Sequence, residues 1–272
     1  MEQKKVIISA LQMNSVLNDR SANFVKIEKI LAKNLTFPVD ILVLPEVFGV
    51  GWSPKFFLEN AESIENSETI AFLSKIAKRY NCNIIGGSFV EKKADGNCYN
   101  TSPVINRCGQ LVTSYSKNHL YSYECIEKDI LQAGSEPVMV DIEGIKVGLS
   151  ICFDIRFAEI YRAYRKAGAD LFVNVAAWGA NKPLVWECLT RTRAIENQTF
   201  MIALTQSGYI EGDEYNIGHS RIIDFMGETV EEIKEQEEGL MTAEVEFSLM
   251  YEYRNKFKIL EDIKTDYEVK II

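Results

Sequence analysis

Histidine is nearly absent from this chain: His119 and His219 are the only two in 272 residues. The six cysteines, at 82, 98, 108, 125, 152 and 188, form no C-x-x-C pair, and only Cys125 has a histidine close by. These shortages exclude the usual spacings of structural zinc sites, so no metal is expected. Positive charge is short as well. With 30 Lys and Arg against 39 Asp and Glu, the net charge is -9, and a face for nucleic-acid phosphates, which needs clustered cations, is not expected. No run reaches the roughly 18 consecutive apolar residues of a membrane span. The start of the chain carries two lysines and then a short run broken by Ser9, Gln12 and Asn14, unlike a signal-peptide core. The expectation is a cytoplasmic protein with no membrane or nucleic-acid partner. Disulfides are not expected there, and each cysteine is by default a small buried hydrophobe.

Linkers rich in Pro, Gly or Ser are missing too, as are internal repeats, which leaves residues 1–272 as a single domain. Hydrophobic residues at 47% and aromatics at 11% supply a large core. Strand-like runs fall at 6–10, 41–44, 84–90, 102–106, 111–115, 138–142, 146–151, 171–175, 201–206, 220–225 and 240–245. Helical segments fall at 23–32, 68–80, 158–166, 183–198 and 248–256. Strand-helix units interrupted by a hairpin, turning at Arg107-Cys108-Gly109, predict a layered α/β fold with two sheets. The acidic stretch Glu231 to Glu238 reads as a solvated turn between strands.

One cysteine stands apart. Cys152 ends the apolar run Val147-Gly-Leu-Ser-Ile and is followed by a helical segment, a strand-to-helix elbow where backbone N–H groups can stabilise a thiolate or an oxyanion. A thiol nucleophile needs a base. Either histidine could serve by spacing, but neither sits in a signature. A carboxylate is the alternative: Glu46 closes Leu42-Val-Leu-Pro, with Val47, Phe48 and Trp52 after it as a prospective pocket wall. Desolvation there would raise its pKa toward a useful range for a general base. A third strand end brings Lys117, whose ammonium would balance a thiol and a carboxylate.

Leu-Pro-Glu46, Lys117-Asn-His-Leu-Tyr and Ile-Cys152-Phe-Asp-Ile-Arg-Phe-Ala-Glu, in this order and at these intervals, resemble the three signatures of the nitrilase superfamily, the carbon-nitrogen hydrolases. The likeness continues through Trp186, Arg191 to Gln198 and Gly218 to Glu228. It implies a four-layer α-β-β-α sandwich paired into a homodimer, with no cofactor. It makes Cys152 the nucleophile, Glu46 the base and Lys117 an oxyanion stabiliser together with the Phe153 N–H. It also implies a second glutamate after the lysine, for which Glu127 fits better than Glu124. Tyr121 stands where phenylalanine is usual. The elbow and the tail from Leu249 to Phe257 most resemble the omega-amidase branch, which implies hydrolysis of small oxo-acid amides such as 2-oxoglutaramate and 2-oxosuccinamate by water. Arg156, Tyr121 and Trp178 are candidates to bind the substrate carboxylate. For Arg156 the ordinary alternative is a structural salt bridge with Asp154 or Glu159. A nitrilase or an N-carbamoyl amino acid amidohydrolase would use the same three residues, and a non-catalytic scaffold would be expected to have lost one of them.

Overall fold

The computed structural model describes residues 5–123, 126–234, 236–264 and 268–271. The first half of the chain forms β1 (Lys5–Gln12), α1 (Arg20–Asn34), β2 (Ile41–Val43), α2 (Glu68–Tyr80), β3 (Asn83–Ile85), β4 (Phe89–Lys92), β5 (Cys98–Ile105) and β6 (Leu111–Ser116). The second half forms α3 (Glu127–Ile130), β7 (Met139–Ile142), β8 (Ile145–Ile151), α4 (Ala158–Lys166), β9 (Leu171–Ala176), α5 (Pro183–Asn197) and β10 (Phe200–Thr205). It continues with β11 (Ser207–Tyr209), β12 (Tyr215–Ile217), β13 (Ser220–Ile223), β14 (Thr229–Ile233), β15 (Gly239–Glu246) and α6 (Phe247–Lys256). One sheet runs β15-β1-β2-β3-β5-β4 with β6 added on β5, the other runs β14-β13-β10-β9-β8-β7, and β11-β12 is a separate hairpin.

Alternating residues of a strand face opposite sides, and here both sides are covered. On β1, Val6, Ile8 and Ala10 join a core shared with the second sheet, α4 and α5. Ile7 and Leu11 face the other way, onto Ile27 and Leu31 of α1 and Leu73 and Ile76 of α2. The layers are therefore helix, sheet, sheet, helix, the sandwich that the motifs implied. α2 matches its expected bounds because its ends are written in the chain. The Ser67 side chain accepts from the Ile70 N–H at the start, and Asn81 closes it in the left-handed region at φ 50°.

The strands β11, β12 and β14, the helix α3 and the division of one run were not foreseen. The run 84–90 is two strands, broken at Gly86-Gly87, where Gly87 has φ +55° and a Cβ would lie 2.0 Å from the Pro45 carbonyl oxygen. That close approach holds β3 against the segment leading to Glu46. The β11-β12 hairpin and the short helix α3 carry too few apolar residues to signal themselves. The expected acidic turn begins inside β14, which spans Thr229–Ile233. Among the described residues no helix is long and apolar enough to cross a membrane. The cysteines divide: Cys82 and Cys152 are buried and Cys98 half-buried, but Cys108 and Cys188 are exposed, contrary to the default expectation; Cys125 lies outside the described residues.

Candidate active site

Three strand ends converge. Glu46 follows β2, Lys117 follows β6 and Cys152 follows β8; all three are buried, with Glu46 and Lys117 at 0% exposure and Cys152 at 7%. Lys117 Nζ donates to Glu46 Oε1 at 3.1 Å and to both oxygens of Glu127 at 2.9 and 3.1 Å. The other Glu46 oxygen accepts the Ala177 N–H at 2.8 Å. Glu127 Oε2 also accepts the Tyr121 N–H at 2.7 Å. Glu124, the other glutamate considered, lies outside the described residues.

Asn100 was not identified from the sequence. On β5 it donates from Nδ2 to Glu46 Oε1 at 2.9 Å and to Glu127 Oε1 at 3.3 Å, bridging the two carboxylates. Nothing in its local sequence distinguishes it from any strand asparagine. Its partners come from residues 54 and 27 positions away.

The electrostatics follow from burial. Desolvation raises the Glu46 pKa above the usual carboxylate range, opposed by Lys117 and reinforced by Glu127. Burial works against the charge on Lys117, but Glu127 and Glu46 outweigh it and hold the ammonium well above its ordinary value. Burial and the neighbouring Glu46 charge push Cys152 well above the ordinary thiol value, so the resting side chain is a thiol beside a carboxylate.

The elbow itself is built by Asp154. Its carboxylate accepts the Ile151 N–H at 2.9 Å, the Tyr115 hydroxyl at 2.7 Å and the His119 N–H at 2.9 Å, with His119 Nδ1 at 2.7 Å. One buried carboxylate thus ties the Cys152 turn to the segment carrying Lys117. Cys152 has φ +46°, a region that side chains rarely occupy and that these bonds maintain. Cys152–Arg156 is a 3-10 turn, so the Phe153 N–H belongs to a helix start, where N–H groups lack partners within the helix. Neither histidine is placed as the base: His119 is committed to Asp154, and His219 Nε2 lies 3.4 Å from Glu232.

A cavity of about 240 Å³ opens over Cys152, lined in part by Trp52, Tyr121, Phe153, Arg156, Trp178 and Lys182. Trp52 forms wall as expected, whereas Val47 and Phe48 are fully buried in the packing behind it. Tyr121, Arg156 and Trp178 all reach the cavity. The salt bridge considered for Arg156 is not formed. Asp154 is occupied by its own donors, and the guanidinium lies 5.6 Å from the Phe153 ring centroid and 5.5 Å from that of Trp178.

A helix-sheet-sheet-helix sandwich with a buried acid-lysine-cysteine cluster where strands of both sheets end is a narrow class of protein. The chain belongs to the carbon-nitrogen hydrolase family, whose model matches residues 7–255. It is 32% identical over 265 residues to the 2-oxoglutaramate amidase of Bacillus subtilis (strain 168), covering 96% of this chain and 99% of that protein. It is 30% identical over 262 residues to a hydrolase in the agr operon of Staphylococcus aureus, covering 95% and 98%. Among solved structures, XC1258 from Xanthomonas campestris, a CN-hydrolase superfamily protein, matches with TM-score 0.89 at 27% identity over 98% of this chain and all of that one. Saccharomyces cerevisiae Nit3, of the nitrilase superfamily, matches with TM-score 0.84 at 26% identity, covering 93% and 94%.

Proposed function

We propose that this carbon-nitrogen hydrolase is an amidase that removes the terminal amide of small oxo acids such as 2-oxoglutaramate and 2-oxosuccinamate, with Cys152 as nucleophile. The observation that carries the reading is a buried thiol that lines the cavity, with a carboxylate and an ammonium packed behind it, and two cations, Arg156 and Lys182, on the cavity wall. The 2-oxoglutaramate amidase of Bacillus subtilis, alike along nearly its whole length, supports the substrate class.

Glu46 takes the thiol proton as Cys152 attacks the amide carbonyl, and Lys117 with the Phe153 N–H receives the charge developing on oxygen. Glu46 returns that proton to the nitrogen, ammonia leaves, and a thioester remains on Cys152. Glu46 then takes a proton from water, which attacks the thioester; the carboxylic acid departs and the thiol is restored. A raised pKa suits Glu46 to both directions of transfer. Glu127 and Asn100 fix the ammonium and the base in position. Arg156 faces the substrate's carboxylate with Tyr121 at the same end of the cavity, and Trp178 forms the wall against its carbon chain.

The chain acts as one domain, 1–272, and pairs as a homodimer; Leu184 at 69% and Ile195 at 47% exposure on α5 favour such a contact. Ammonia release from 2-oxoglutaramate, beside glutamine, a nitrile and an N-carbamoyl amino acid, tests the function. Preference for the oxo-acid amide, lost in Cys152→Ala, is expected. Preference for a nitrile or a carbamoyl amino acid with Cys152 still essential would overturn the substrate and leave the chemistry standing.

A further inference from the structure

Two cations, Arg156 and Lys182, face the same cavity. Among the described residues no carboxylate lies within ion-pair distance of Arg156 or Lys182, in a chain whose net charge is -9. Lys182 gave no signal in the sequence, being a lysine before the Pro183 that starts α5. In the fold it is half-buried. The Trp178 indole N–H donates to its carbonyl oxygen at 3.1 Å, and its ammonium donates to the Tyr121 hydroxyl at 3.1 Å.

The two cations bracket a pair of rings. Arg156 lies over Phe153, Phe153 meets Tyr121 edge-on with centroids 5.4 Å apart, and Lys182 Nζ lies 5.5 Å from the Tyr121 centroid. Because Lys182 donates to the Tyr121 oxygen, the phenolic proton is directed elsewhere, and the pair presents an O–H and the remaining ammonium N–H groups together. A planar guanidinium matches a carboxylate through two parallel bonds, whereas an ammonium acts as a compact point charge suited to a single oxygen.

We propose that Lys182, acting with Tyr121, reads the 2-oxo oxygen of the substrate while Arg156 takes the adjacent carboxylate, and that Lys182 thereby rejects the corresponding 2-amino amides. The inference rests on the oxo-acid reading above and adds to it the residue that makes the distinction. A 2-oxo acid offers acceptors to every donor in this set. A 2-amino acid would put an ammonium against the Lys182 ammonium, and like charges at that range repel strongly in a partly desolvated site. The acids that also line the cavity, Asp213 and Glu214, sit exposed at the tip of the β11-β12 hairpin, after the Gly212 turn, and neither is within ion-pair distance of Arg156 or Lys182. In water at the rim their attraction for an ammonium is screened.

The test is kcat/KM of the full chain and of its Lys182→Met and Lys182→Arg forms on 2-oxoglutaramate, on the same monoamide without the oxo group, and on L-glutamine. Ratios between substrates cancel any general loss. In Lys182→Met the preference for the oxo over the deoxo amide is expected to fall roughly 10- to 100-fold, mainly through KM, the size of a lost charged hydrogen bond. The preference over glutamine is expected to fall further, and Lys182→Arg to restore part of both. Equal losses on the oxo and deoxo amides would overturn the assignment of Lys182 while leaving the oxo-acid reading intact. A wild-type preference for glutamine would overturn both, and would point instead to Asp213 and Glu214 as readers of the amino group.

Discussion

The floor and the wall of the cavity are built on opposite terms. The floor lies behind Cys152, which lines the cavity: Glu46, Lys117 and Glu127 are fully buried there and held together by 2.9 to 3.1 Å bonds, with Asn100 between the acids. On the wall, the exposed Arg156 and the half-buried Lys182 lie against aromatic rings, with no acid partner among the described residues. A buried charge left unpaired is costly, so the floor has to be complete before substrate arrives. A cation at the rim keeps its water until a ligand displaces it, so the wall can stay open. The contrast separates bond-breaking, which needs fixed charges that act in the transition state, from selection, which needs charges that the substrate satisfies.

If that division holds, floor substitutions lower kcat for every amide alike, and wall substitutions act according to the substrate's charge. The largest effect is expected from Glu46→Gln, which removes the base while keeping the shape: kcat should fall about 10²- to 10⁴-fold on charged and neutral amides equally. Lys117→Met should cost about 10²- to 10³-fold, again without regard to substrate, measured on 2-oxoglutaramate and butyramide. Arg156→Ala should cost roughly 10- to 100-fold in kcat/KM on the oxo-acid amide alone, expressed in KM. Loss of butyramide turnover to the same degree in Arg156→Ala would break the division.

The smallest expected effect concerns pH. Glu46 must be ionised to accept the thiol proton, and burial raises its pKa from 4.5. The acid limb of kcat/KM should therefore lie above the ordinary carboxylate range, with activity falling as pH drops through it. At the alkaline side Lys117, held well above its usual value by Glu127 and Glu46 against burial, keeps its charge. Alkylation of Cys152 by iodoacetamide should be slow at neutral pH, since the thiol is raised too. An acid limb at an unshifted carboxylate value would say that water reaches Glu46 in solution.

The same contrast governs what could be read from the chain. Glu46 and Cys152 close apolar runs and Lys117 ends a hairpin strand, so each was legible as a strand end, and the resemblance of the three motifs to one family is what brought them together. The central strands β2, β9 and β10 are buried on both faces, which made them legible as apolar runs, and α2 and α4 matched their expected bounds. Asn100 was illegible because its importance lies in partners from distant strands. Lys182 gave no signal because the rings beside it, Tyr121 and Tyr123, come from some sixty residues away. For Arg156 the local sequence misled: Asp154, two residues away, was the obvious partner, but the fold spends that carboxylate on holding the Cys152 turn to the Lys117 segment.

Cys152 at this turn forms the acyl intermediate, which can be measured directly. Protein quenched during turnover of 2-oxoglutaramate and weighed intact should carry an added acyl group, located by peptide mapping on Cys152, and Cys152→Ala should carry none and release no ammonia. Ammonia release by Cys152→Ala at a comparable rate, or an acyl group found on any other residue, would contradict the account.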